Sequence, residues 1–310
     1  MKWKDRIAGW LIYGFIRVVS LLPLPLAQWL GRQIGNLSWA LDSRAAKVTL
    51  ANLELCLPEL TDAERQRLAR DSLRQTGMQM METPASWLGD RTRILGWIQG
   101  ASNYDALNES IAADTGTIII LPHIGNWELI NVFMSQHERQ REFVGLYAPP
   151  NKDYLKKLIS EVRLRYGNEL VPTTVKGIGT MLRRLKEGKL VLLLPDQVPA
   201  SGEFAPFFGE DALTDIITVR MLERCPGARA FTCTIERLDN AAGFYIHFGE
   251  AHPDLYSSDR ATALAGMNKS VEACVRQLPA QYQWEYKRFK ERPAGKRRIY
   301  NFTGEPDTHH

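Results

Sequence analysis

Four cysteines stand in 310 residues, and Cys56, Cys225, Cys233 and Cys274 form no CxxC pair or Cys/His grouping. That scarcity excludes a disulfide framework in a chain of this size and argues against zinc. They read as reduced core residues of a cytosolic protein. A long apolar run is also missing. IAGWLIYGFI (7–16) is cut by Arg17, and VVSLLPLPLAQWL is broken at Pro23 and Pro25. A spanning helix needs ~20 apolar residues, and an arginine at the bilayer centre costs about 2.5 to 3.5 kcal/mol. Lys2, Lys4 and Arg6 before an apolar stretch imitate a secretory signal, but no small-x-small cleavage site follows. No Pro/Gly/Ser-rich linker, repeat or low-complexity tract divides the chain, so one large domain with a helical N-terminal extension is expected. No groove-reading or base-stacking module is present, which leaves nucleic acid out. No serine sits in a nucleophile-elbow setting, and His123, Glu128 and His137 lack HExxH spacing.

The net charge of +4 is unevenly placed. Residues 1–50 carry seven Lys/Arg against Asp5 and Asp42, residues 287–298 carry seven against Glu291, and the rest of the chain holds a net −7. Basic ends suit an anionic surface. Trp3, Trp10, Tyr13 and Trp29 are aromatics favoured at headgroup depth, so residues 1–40 read as an interfacial helical segment. The alternative is an ordinary helix packed on the domain.

The centre of the chain is TIIILPHIGNWE (117–128). Its apolar run lacks polar alternation, as a strand covered on both faces requires, and Pro122 ends it. His123 then sits on a turn, with Asn126 as a candidate cap for a helix through Phe133. Placed so, Glu128 can curl back to one imidazole nitrogen and leave the other as an oriented general base. A lone histidine after a strand is also a common structural residue, so the wider pattern matters. Thr61 and Glu64 predict a capping box opening a helix, and 44–82 reads as helical. From residue 94 strands and helices alternate, with helices at 153–166 and 261–278 and strands at 230–236 and 244–250. LVLLLPDQ (190–197) repeats the central design and releases Asp196 and Gln197. Two parallel strands ending in Leu-Pro would deliver both polar groups to one sheet edge, where open α/β sheets bind ligands. A simple loop cap is the other reading of Asp196 and Gln197. The fold class is therefore α/β, with a mixed, largely parallel central sheet flanked by helices.

These residues resemble a known family. His123 to Glu128 is similar to the H-x4-D/E signature of the glycerolipid-type acyltransferase superfamily. Arg163-Leu-Arg165-Tyr-Gly167, Gly188 through Gln197, Phe204-Ala-Pro-Phe207-Phe208-Gly209 with Thr214, and Leu278 through Pro293 resemble further blocks of the late acyltransferases of lipid A biosynthesis, lauroyl/myristoyl type. The chain departs from that pattern at Ala280, where Glu is usual, and at Tyr286, where His is usual. The resemblance implies an acyltransferase domain over 41–300 behind the membrane-associated segment 1–40, with a disordered tail at 301–310. It implies acyl transfer from an acyl carrier protein thioester, as co-substrate and with no cofactor or metal, to a hydroxyl of a Kdo-bearing lipid A precursor. The place would be the cytoplasmic face of the bacterial inner membrane. His123 would be the base and Glu128 its orienting partner, with Asn126, Arg163, Arg165, Asp196 and Gln197 binding substrate. Lys287, Arg288, Lys290 and Arg292 would meet anionic headgroups or the acidic carrier. Another lipid acceptor, or a non-catalytic membrane-surface protein, are the alternatives.

Overall fold

The structure is a computed structural model and describes residues 3–136, 143–147 and 168–302. The helix expected over 153–166 and nearly all of the tail after 300 lie outside them. The chain opens with α1 (Trp3–Val19), α2 (Leu24–Ala40), α3 (Arg44–Cys56), α4 (Asp62–Leu88) and α5 (Arg91–Leu95). Next come β1 (Ile98–Ser102), α6 (Tyr104–Ala112), β2 (Thr117–Ile120), α7 (Leu129–Met134), β3 (Val144–Tyr147) and β4 (Glu169–Pro172). After these are α8 (Val175–Lys186), β5 (Leu190–Leu193), β6 (Glu203–Phe207), β7 (Glu210–Thr214) and α9 (Ile217–Arg224). The last are β8 (Arg229–Arg237), β9 (Phe244–Glu250) and α10 (Arg260–Gln277).

Seven strands form one sheet in the order β1-β9-β8-β2-β5-β3-β4, and β6 and β7 make a separate hairpin. All neighbours in the large sheet are parallel except β8 and β9. The centre is buried on both faces, which is why β2 and β5 read as unbroken apolar runs. Ile118, Ile120, Val191 and Leu193 pack on one side with Met181 and Leu185 of α8. Ile119, Leu121, Leu190 and Leu192 pack on the other with Leu129, Ile130 and Phe133 of α7. Each such side chain, fully buried, contributes about 1.5 to 3 kcal/mol.

The helices expected over 44–82 are α3 and α4, and α4 starts with the expected capping box. Glu64 N donates to Thr61 Oγ1, and Thr61 N donates back to Glu64 Oε2. Segment 1–40 is not detached. A methyl group added at Gly31 or Gly35 of α2 would come within 2.4 Å of α4 backbone atoms, so only glycine permits this approach. The outer faces of α1 and α2 leave Trp10, Leu11, Phe15, Val18, Trp29 and Leu37 exposed. No helix among the described residues is long and apolar enough to cross a membrane.

Buried polar groups join α4 to the sheet. Glu82 accepts from Arg237 Nε and Nη2 at 2.6 Å each, and both side chains are essentially inaccessible. Gln28 Nε2 of α2 and Asn126 Nδ2 also donate to this carboxylate, at 2.9 and 3.2 Å. A buried charge survives only with its partners in place.

Candidate active site

The register of β2 on β5 builds the site. Thr117 lies beside Leu190 and Ile120 beside Leu193, and Leu121 N donates to Leu193 O at 2.8 Å. Carried on past the two prolines, this register sets His123 next to Asp196. The two Leu-Pro strand ends therefore do deliver their polar groups to one edge. Asp196 Oδ1 accepts from His123 Nδ1 at 2.8 Å, and Oδ2 accepts from the His123 backbone N–H at 2.9 Å. One carboxylate thus fixes both the ring and the main chain that carries it. Donation from Nδ1 leaves Nε2 with the lone pair, and Gln197 Nε2 donates toward it at 3.3 Å.

The turn holds this pose through backbone pairing. Gly125 has φ +59°, and a Cβ there would overlap Ile235 O, so the position requires glycine. Asn126 N donates to Ile235 O, Gly125 N donates to Gln281 O, and Gln283 N donates to His123 O. Residues 281–283 thereby pair with the turn almost as an added strand. Trp127 walls the imidazole, ring to ring at 4.8 Å. Around His123 lie Gln75, Thr76, Gln79, Trp127, Gln281 and Gln283, enclosing about 10 Å³, roughly the room of one water.

Burial works against a charged His123, yet the Asp196 charge and hydrogen bond, helped by Glu128 and Glu285, outweigh it and raise the imidazole above its usual value. Burial likewise works against a charged Asp196. His123, through its charge and its hydrogen bonds, prevails and holds that carboxyl below the usual range. The pair is therefore poised as carboxylate and readily protonated imidazole, the electrostatic arrangement of a general base.

Two expectations are corrected. Glu128 does not hold the ring: it contributes charge, and among the described residues its carboxylate accepts only a long bond from Asn131 Nδ2 at 3.5 Å. Asp196 reaches Nδ1 because it leaves a neighbouring parallel strand at the same height, whereas Glu128 sits past a turn that carries it away. Asn126 does not cap a helix with its side chain. It is buried against Glu82 and Ser86, and α7 begins only at Leu129. Arg163 and Arg165 lie outside the described residues.

The basic closing block is also partly structural. Arg288 is buried and donates to Leu213 O, and Arg292 donates to Asp211 O and Glu210. Lys287 lies over the rings of Tyr300 and Phe302, while Lys290 is exposed. Of the two departures from the family pattern, Tyr286 accepts from Val198 N at 3.0 Å and ties the closing turn to the loop after β5. Ala280 lines a groove of about 600 Å³ with Arg32, Asn36, Arg74 and Gln75, and Gln75 is shared with the His123 pocket. All four cysteines are free and buried, and burial pushes each thiol up, away from nucleophilic use.

The chain matches the family model for bacterial lipid A biosynthesis acyltransferase over residues 3–291. The chain belongs to this family. It is 30% identical over 290 residues to the lipid A biosynthesis lauroyltransferase of Escherichia coli (strain K12), covering 92% of each chain. Identity to the palmitoleoyltransferase of the same organism is 27%, over 94% of each chain. To its myristoyltransferase it is 23%, over 94% of this chain and 90% of the other. The protein is an acyltransferase. Sequence reasoning missed Glu82, Gln281, Gln283 and Glu285 at this site. The one available signal was Gln281-Tyr282-Gln283-Trp284, seen as part of the family's closing block but given no role at the site.

Proposed function

We propose that the protein transfers a fatty acyl chain from an acyl carrier protein thioester to a hydroxyl of a 3-hydroxyacyl chain on a Kdo-bearing lipid A precursor. The single observation that carries the chemistry is His123 held at ring and backbone by Asp196, with Nε2 directed into the pocket. The acceptor hydroxyl, whose pKa lies far above neutrality, gives its proton to His123 Nε2 as its oxygen attacks the thioester carbonyl. The C–S bond then breaks, and the departing thiolate takes the proton back from the imidazolium. Asp196 stabilises that imidazolium, and the Glu128 charge adds to it. Base catalysis of this kind contributes about 10² to 10⁴-fold, with positioning and oxyanion stabilisation supplying the remainder. Arg163 and Arg165 are our candidates for the oxyanion or the acceptor's phosphates.

The lipid setting is supported by the exposed apolar faces of α1 and α2. We place them in the surface of the bacterial inner membrane on its cytoplasmic side, lying on the bilayer rather than crossing it. The polar groove of Arg32, Asn36 and Arg74 beside α2 then opens next to the headgroup layer.

The test is transfer of labelled acyl chains from acyl carrier protein to a Kdo-bearing tetra-acylated precursor, for wild type and His123→Ala. Label reaching the precursor with wild type, and falling about 10²-fold or more in the variant, is the expected result. Equal transfer by His123→Ala removes the base, and transfer only to another lipid removes the acceptor assignment.

A further inference from the structure

A string of amides leads away from the reactive nitrogen. Gln197 Nε2, which donates toward His123 Nε2, gives its second N–H to Gln283 Oε1 at 3.1 Å. The Gln283 side chain in turn supports the Glu285 carboxylate, which also accepts from Thr76 Oγ1 of α4 at 3.0 Å. The donors diverge from Gln197: one N–H points to the lone pair on His123, and the other starts the run through Gln283 toward the Glu285 carboxylate. Reversing one amide reverses the next, because each must offer hydrogen to oxygen.

We propose that Glu285 is a positioning residue, acting through Gln283 and Gln197 to decide whether an N–H or a carbonyl oxygen faces Nε2 of His123. With Glu285 ionised, the carboxylate draws the Gln283 N–H, the Gln283 oxygen draws Gln197, and Gln197 presents N–H to a neutral imidazole. With Glu285 protonated, its O–H goes to the Gln283 oxygen and both amides turn over. Gln197 then presents oxygen to Nε2, which stabilises the imidazolium and idles the base.

Burial pushes Glu285 up to about 7, against its own backbone N–H, Thr76, Gln283 and the His123 charge, so this reversal falls near neutral pH. The charges acting on His123 are Asp196, Glu128 and Glu285, and the one acting on Glu285 is His123. Two protons must therefore leave before the base works.

The proposal rests on His123 being the base, and its test separates the two. In wild type, the acidic limb of log kcat against pH steepens beyond unit slope, and the ring nitrogens of His123, followed by NMR in detergent, titrate in two coupled steps. Glu285→Gln keeps an oxygen for the Gln283 N–H but has no proton to lose. It retains most of the plateau rate, returns the limb to unit slope and leaves one NMR step. Gln283→Met cuts the string with Glu285 intact and also yields one step. A single His123 step in folded wild type, or two steps surviving in Glu285→Gln, overturns the relay. Coupled steps in a protein that transfers no acyl group keep the relay and discard the proposed reaction.

Discussion

Two histidine–carboxylate pairs of nearly equal length lie in this sheet. His123 meets Asp196 at 2.8 Å, and His247 of β9 meets Glu236 of β8 at 2.7 Å, with Ser102 Oγ 3.2 Å from the other His247 nitrogen. Seen only as distances, the second has the makings of a Ser-His-Glu triad. What differs is the surroundings. Asp196 is 2% exposed and grips the His123 backbone as well as its ring, while Glu236 is 31% exposed and grips the ring alone. A carboxylate out of water and tied to the main chain cannot wander, so its field is delivered to one atom. An exposed pair is screened and contributes about 0 to 1 kcal/mol. Short contacts orient an imidazole firmly only where the scaffold fixes both partners.

The largest effect that would break this contrast is expected from Asp196→Asn. Loss of its charge lowers the His123 pKa and frees the tautomer, so kcat drops about 10²-fold or more and the acidic limb of the pH–rate profile moves to lower pH. An unchanged limb would put the two pairs on equal terms. Glu128→Gln removes a charge that touches neither ring nor backbone. A downward shift of the limb with less than about tenfold loss of kcat is expected, and a loss as large as that of Asp196→Asn would restore Glu128 as the orienting partner. The smallest effect belongs to Glu236→Gln: unchanged transfer and a change in unfolding free energy within about 1 kcal/mol. Inactivation by that substitution would show that the outer pair shares in the chemistry.

Stability reads the same contrast through pH. His123 is raised on folding, so its contribution is complete below its unfolded pKa and is lost as pH rises through the folded value. Asp196 is lowered, so its contribution is complete above its unfolded pKa and is lost as pH falls through the folded value. Hydrogen exchange at the His123 amide, which Asp196 holds, follows both limbs.

Much of this was legible in the residues. The unbroken run in β2, its echo in β5 and the repeated Leu-Pro ends carried the parallel sheet and the shared edge, because strand burial and chain breaking are local properties. Which carboxylate takes His123 was not legible. Glu128 is close in sequence, but side-chain aim after a tight turn depends on how Gly125 is pinned to Ile235 and Gln281, and those contacts are remote in the chain. Arg288 misled for a related reason: a basic run looks solvated until the carbonyl that buries one member is found, here that of Leu213. Glu82 and Arg237 are ordinary helix and strand charges by pattern, and only the packing of α4 on β8 makes them a buried pair.

The pairing of residues 281–283 with the His123 turn also has a consequence in time. Synthesis delivers His123 and Asp196 well before Gln281 and Gln283, so a nascent chain carries this pair without the segment that seats it. Backbone groups of the turn stay unpaired until that segment leaves the ribosome, and Asn52 and Ser72 wait for its carbonyls as well. The seating of the His123 turn is thus among the last parts of the fold that synthesis can complete.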